Sequence, residues 1–292
     1  MTSPRLVLTR GLMLVALVAV FAGCGAALPT GRFDALAAAS KGVENKTRET
    51  DADIVKLTRR FMIFTAQAPY KDTSFKPEID GMDFDFGPRL APRLAALDVL
   101  ASYTQALAAF ARKDYQGDLD QATQSLGGSV THLAGHPTVS EDAKKSAGVL
   151  ATVVNELGRA YIERMRRAEL KKAMSKAQPG IEGIVKFVTA INRDGALAVE
   201  TMRKGIITKA NALKPSDGMA KLQLNEAVEA VIVDTTIILA ELTQESAAVE
   251  AIGPAHAEVR DSLDKDDRTS LEKLKALVAE VKRLQGALSS LK

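Results

Sequence analysis

At 292 residues the chain has room for one large domain or two smaller ones. Hydrophobic residues make up 46% and charged residues 26%, which excludes a disordered acidic or basic tail. The formal charge of +3 excludes nucleic-acid binding by bulk electrostatics, the more so because Arg5 and Arg10 stand in an N-terminal segment of their own and leave 37 basic against 36 acidic residues.

With no Trp, four Tyr and nine Phe, the core has to be built from Leu, Val, Ile and Ala, a supply that favours closely packed helices. Arg5 and Arg10 precede the uncharged run "GLMLVALVAVFAG", Gly11 to Gly23, in the order of an export signal. Thirteen helical residues span about 20 Å, short of the roughly 30 Å of bilayer hydrocarbon, so the run reads as a cleaved signal and not as a transmembrane helix. The run ends at Cys24, the single cysteine, and an internal disulfide is excluded.

Phe21, Ala22, Gly23 and Cys24 resemble the lipobox of bacterial lipoproteins, with Phe21 where Leu is usual. The resemblance covers only the first 25 or so residues. It implies that Cys24 receives diacylglycerol, that residues 1–23 are removed, and that acyl chains on Cys24 anchor the protein to the bacterial membrane. Gly25, in place of the Asp that favours inner-membrane retention, implies an outer-membrane position facing the periplasm if the source is Gram-negative.

Residues 24–50, ending within the polar run "KGVENKTRETD" of 41–51, read as a lipid anchor and polar tether, and 51–292 as a helical bundle domain. Ile54, Leu57, Phe61 and Phe64 fall on one helical face. Between 69 and 92, Pro77, Pro88 and Pro92 with Gly81 and Gly87 predict an irregular loop, whose Phe75, Met82, Phe84 and Phe86 are expected to pack against the helices. Helical periodicity resumes with Leu94, Leu97, Leu100, Tyr103, Leu107 and Phe110, and a further helix is expected over 119–133. Ser140, with Glu141 and Asp142 behind it, predicts the start of a helix running to about 177, broken by Pro179 and Gly180. The next helix carries Ile184, Phe187, Val188, Ile191, Val199, Met202 and Ile206 and ends at the turn "KPSDG".

Residues 221–252 present Leu224, Val228, Val231, Ile232, Thr235, Ile238, Leu239 and Leu242 at helical spacing, the pattern of a central helix. Glu226, Glu229, Asp234 and Glu241 oppose a membrane-spanning role for it. Gly253 and Pro254 predict a kink or break. Leu271, Leu274, Leu277, Val278, Val281, Leu284 and Leu288 follow a coiled-coil-like 3-4 spacing over too few heptads for an independent coiled coil. The whole predicts an all-α fold, an elongated antiparallel bundle of long helices, with no βαβ or alternating-strand pattern.

Chemistry is harder to find. His132 and His136, four apart in "THLAGHP", are the closest histidine pair and an alternative metal site, for which Glu141 and Asp142 are the nearest further ligands; Gly135 and Pro137 favour an exposed helix end instead. His256 stands alone and reads as a surface residue. Asp80, Asp83 and Asp85 lack EF-hand spacing. Ser125 in "SLGGS" lacks a nucleophile elbow, no phosphate or dinucleotide motif occurs, and no catalytic residue or cofactor is expected. "RMRRAELKK", Arg164 to Lys172, reads as a solvated face. These features lead to the expectation of a noncatalytic, lipid-anchored envelope scaffold or protein-interaction module whose partners are the membrane, through Cys24, and an envelope protein. The alternatives are a small-molecule or metal-binding bundle, or an envelope enzyme with a site assembled from distant residues.

Overall fold

The apolar periodicities fold into six α-helices in the computed structural model, which describes residues 28, 30–66, 87–112, 115–158, 166–215 and 217–264. They are α1 (Thr30–Ala66), α2 (Gly87–Ala111), α3 (Tyr115–Gly135), α4 (Glu141–Gly158), α5 (Arg166–Ala212) and α6 (Gly218–Asp261). No strand occurs among the described residues, so the fold is all-α. Helices α1, α2, α5 and α6 pack in that order as one four-helix group, and α2, α3, α4 and α5 as a second. Both α2 and α5 belong to the two groups, and α2, covered on nearly every side, is the central helix.

Its residues explain that position. Leu97, Val99, Leu100, Tyr103, Ala106, Leu107 and Phe110 are all buried, and alanines fill much of the remaining circumference, so every side can be covered. By length and composition α2 could cross a membrane over Leu90–Ala111, but 83% of that stretch is buried in protein, as for a core helix. The central role expected for 221–252 is therefore corrected. In α6 only one stripe, including Val231, Thr235, Ile238 and Leu242, is buried, while Leu224, Val228, Ile232 and Leu239 are half-covered.

Other expectations also change. The tether over 24–50 is helical from Thr30 onward, because Phe33, Leu36, Val43, Thr47 and Thr50 line one buried face and the polar look comes from the opposite one. The irregular 69–92 region is already helix from Gly87, with Pro92 inside α2. The helix expected over 140–177 ends at Gly158, and its second half belongs to α5, which passes through Pro179 without a break. Likewise α6 runs through Gly253 and Pro254. An interior proline costs a helix about 3 kcal/mol, a penalty that packing along 47 and 44 residues offsets here. The apolar residues expected in 70–86 and the heptads of 271–288 lie outside the described residues.

Helix ends follow the expected chemistry. The Ser140 hydroxyl accepts the Ala143 N–H at 3.3 Å, with Glu141 and Asp142 in the first turn of α4, and Asp217 caps α6 by accepting from Ala220 N–H at 2.8 Å. The two ends of the bundle are distinct. At the base, Arg32 donates to the Ser262 carbonyl at 3.3 Å and Lys171 pairs with Asp264, joining the start of α1, the start of α5 and the end of α6. At the tip, Phe61 approaches Gly205 and Arg60 pairs with Asp234. Beyond that level the α5–α6 hairpin continues to its turn near 213–217.

Gly180, expected to end a helix, is instead a packing position. A Cβ there would lie 2.9 Å from the Ser146 carbonyl oxygen and 3.1 Å from Leu150, so α4 and α5 meet backbone to backbone. Gly180→Val should destabilise the fold by roughly 2 kcal/mol through overpacking. Gly128→Ala, with nothing within 4 Å of the added methyl, should be neutral or stabilise α3 by a few tenths. Urea unfolding of both variants checks the pair, and equal effects would rule out a tight α4–α5 contact.

Candidate functional site

The two apolar cores of the bundle do not merge. One contains Phe33, Val43, Leu97, Val188 and Val249; the other, toward the tip, contains Ile54, Leu57, Leu90, Val199, Met202 and Leu242. Between them in sequence, on all four helices α1, α2, α5 and α6, stand Asp51, Arg93, Asn192 and Glu245. They form a polar layer. Arg93 has no exposed surface; it donates to Asn192 Oδ1 at 2.7 Å, pairs with Asp51, and lies 3.6 Å from Glu245 Oε1. Asn192 donates onward to Ser246 Oγ at 3.1 Å. One turn away Lys46 bridges α1 and α6 through Glu241 at 2.9 Å, and Glu44, also buried, is met by Lys41 at 2.6 Å and Arg48 at 3.2 Å.

One guanidinium faces two carboxylates, and the layer is neutral when one of them keeps a proton. Burial pushes both carboxyls up: Asp51, which Arg93 pulls back down, reaches about 6, and Glu245 is raised by the same burial, again opposed by Arg93. Glu245, with no exposed side-chain surface against 17% for Asp51, is the better place for that proton. Arg93 Nε makes no hydrogen bond among the described residues, and Glu245 stands at longer range from Arg93 than Asn192 does. The arrangement is therefore an expensive one to bury, and its groups agree in only one axial register of the four helices.

A second polar path crosses the bundle where α2 and α6 keep their Cα atoms more than 8 Å apart. Tyr103 and His256 close that diagonal at 3.0 Å, with His256 Nδ1 2.8 Å from Gln178 Oε1 on α5. The Gln178 amide donates to Glu182 Oε1 at 2.9 Å and toward the Gly253 carbonyl at 3.4 Å. Those acceptors turn its NH2 outward and its oxygen to His256, so Nδ1 carries the imidazole proton and Nε2 accepts from the Tyr103 hydroxyl. Burial, helped by Arg260, pushes His256 down to about 3, and burial alone drives the Tyr103 phenol upward, so both are neutral. Outside, Gln178 and Glu182 line a cleft of about 510 Å³ with Lys186, Thr189 and Pro254. A second cleft, about 560 Å³, opens beside Ser125 between Asp34, Arg112 and Asp118, whose charges are paired across it at 3.2 and 3.1 Å.

The residues singled out from sequence fare unevenly. Cys24 and Asp80, Asp83 and Asp85 lie outside the described residues. His132 and His136 are brought into edge contact, ring centroids 4.9 Å apart, and His136 is pushed down by burial first and His132 second. Glu141 turns to Lys144 at 2.9 Å, and among the described residues no three His, Cys, Asp or Glu side chains are grouped as a metal would require. Ser125 sits 3.4 Å from Ser102, whose hydroxyl also meets Ser129 at 3.1 Å, and Ser129 donates to Asp98 at 2.7 Å, so these hydroxyls meet one another and a carboxylate rather than a histidine among the described residues. His256 is the clear correction: it is wholly buried, because Tyr103 and Gln178 supply both partners its ring needs. Arg93 and Glu245 were not recognised in the sequence at all. Their one signal was position, since each falls on its helix's apolar stripe, between Leu90 and Leu97 and between Leu242 and Val249.

With this geometry in view, the class defined by the fold is an all-α helical bundle with a polar layer across its core. Comparison with known families, curated proteins and solved structures finds no match.

The buried groups give opposite pH slopes. Asp51, raised from 3.8 to about 6, contributes stability that is complete below about pH 4 and lost as pH rises through 6. His256, lowered from 6.5 to about 3, contributes stability that is complete above 6.5 and lost as pH falls toward 3. Relative to the parent, Asp51→Asn should therefore lose stability as pH falls from 6 to 4, and His256→Gln should gain, each by roughly 2 kcal/mol across the window. Urea unfolding against pH measures both, and three parallel curves would contradict the assignment. Tyr103→Phe strips His256 Nε2 of its donor in a dry core and should cost roughly 1–3 kcal/mol at pH 7. An unchanged unfolding midpoint would show that the diagonal tie contributes nothing.

Proposed function

We propose that the chain is a lipid-anchored, noncatalytic envelope protein whose helical bundle acts as a scaffold or protein-interaction module. The observation that carries this reading is the position of Cys24, at the end of an apolar run and behind Phe21, Ala22 and Gly23. Helix α1 begins at Thr30, six residues farther on. An extended link of that length reaches about 20 Å, so acyl chains on Cys24 would hold the base of the bundle close to the bilayer.

The bundle supports the reading in a second way. Several of its interior ionisable groups tie helices together, as in Arg93 with Asp51 and His256 with Tyr103 and Gln178. With α5 spanning about 70 Å at 1.5 Å per residue, the hairpin turn would stand well away from an anchored base. In a cell with two membranes, Gly25 after the cysteine supports the outer membrane as the anchoring site.

Expression of the full chain in a bacterium that processes lipoproteins tests the anchor. Intact mass should show a mature chain beginning at Cys24 and carrying acyl chains, and the protein should enter the detergent phase on partitioning. Cys24→Ala should lose the acyl mass and that partitioning. A mature chain that starts beyond Cys24, or an alanine variant that keeps the acyl mass, would refute the proposal.

A further inference from the structure

We infer that the tip of the α5–α6 hairpin is a docking surface for an anionic lipid bilayer. Lys204 and Lys209 lie in the last turns of α5, Lys214 in the turn, and Lys221 in the first turn of α6. From 204 to 222 the only acidic residue is Asp217, and its side chain is engaged as the α6 N-cap. The next acids outward are Glu200, which faces Arg203 at 3.8 Å on α5, and Glu226, two turns into α6. The tip therefore carries a local excess of three positive charges on a chain that is elsewhere nearly neutral.

Pairing sharpens the contrast. Seven of the nine other described lysines, Lys46 and Lys176 among them, sit in ion pairs with Asp or Glu. None of Lys204, Lys209, Lys214 and Lys221 pairs with a described residue, and three of them are exposed. Among these free ammonium groups stand Met219 and Leu222, 65% and 51% exposed, at the start of α6. Lysines around exposed apolar side chains match an anionic bilayer surface: the charges meet headgroup phosphates while the methionine and leucine enter the boundary with the acyl chains. A hydrated polyanion or an acidic protein would satisfy the lysines without accounting for the two apolar side chains.

The proposal is independent of lipidation at Cys24, and its test keeps the two apart. The full chain carrying Cys24→Ala is mixed with vesicles of phosphatidylcholine alone or with one-third phosphatidylglycerol, and bound protein is measured by flotation at low and high salt. Any contribution of the N-terminal apolar run is common to both vesicle types, so the readout is the excess binding to anionic vesicles. That excess should be present at low salt, vanish at high salt, and fall about fivefold per lysine removed, reaching a hundredfold or more in Lys204→Gln/Lys209→Gln/Lys214→Gln/Lys221→Gln. Met219→Gln/Leu222→Gln should weaken it without altering its salt dependence. Circular dichroism confirms that each variant is folded. Equal binding to the two vesicle types, or an unchanged excess in the folded lysine variant, would overturn the proposal; so would tip-dependent capture of an acidic protein with no anionic excess on vesicles.

Discussion

The bundle is organised around a cation it cannot hydrate. Arg93 is wholly enclosed, so the groups that compensate it must come from protein, and the other three helices of its four-helix group supply one each: Asp51 from α1, Asn192 from α5 and Glu245 from α6. Leucine against leucine tolerates a slip of one turn between helices at modest loss, whereas a buried guanidinium facing valine does not. The layer thus sets the register in which the two apolar cores are stacked. Burying two carboxyls around one arginine also raises both above the usual carboxylate range, a direct consequence of desolvating three ionisable groups together.

Scarcity of aromatics shapes the rest. The face of α2 that passes through both four-helix groups is built from Ala, Leu and Tyr103, and α5 offers Gly180 to α4, so helices approach closely with little side-chain volume between them. Across the long α2–α6 diagonal large side chains are needed to meet, and Tyr103 with His256 bridges it in one layer as Arg93 with Glu245 does in another. Tyr103 needs an acceptor there and His256 needs a donor. Each satisfies the other, and Gln178 completes the ring's requirements from a third helix.

The polar groups of this interior join helices to one another. Burial holds His256 and Tyr103 neutral, and Arg93 is held by Asp51 and Asn192. What varies along the molecule is the surface. Charges at the base are laced into pairs such as Lys171 with Asp264 and Arg112 with Asp34, while the lysines at the opposite tip have no ion-pair partner among the described residues.

Helix existence and composition were legible locally. Ser140 followed by two acids marked the start of α4, "KPSDG" marked the α5–α6 turn, and the stripe from Leu97 to Phe110 marked α2, because caps, turns and periodicity act within a few residues. Breaks were read less well. Pro179 and Pro254 looked like helix ends, and only contacts along the flanking turns decided that they are not. The polar run after Lys41 looked like a tether because its buried Glu44 and Thr47 are unremarkable until α6 is laid against them. By itself, then, the sequence determined an all-α chain with few aromatics and one cysteine in a lipobox-like setting. Tertiary structure alone decided that Arg93 and His256 lie inside, since burial of a polar side chain depends on partners brought from distant helices, which no local pattern encodes.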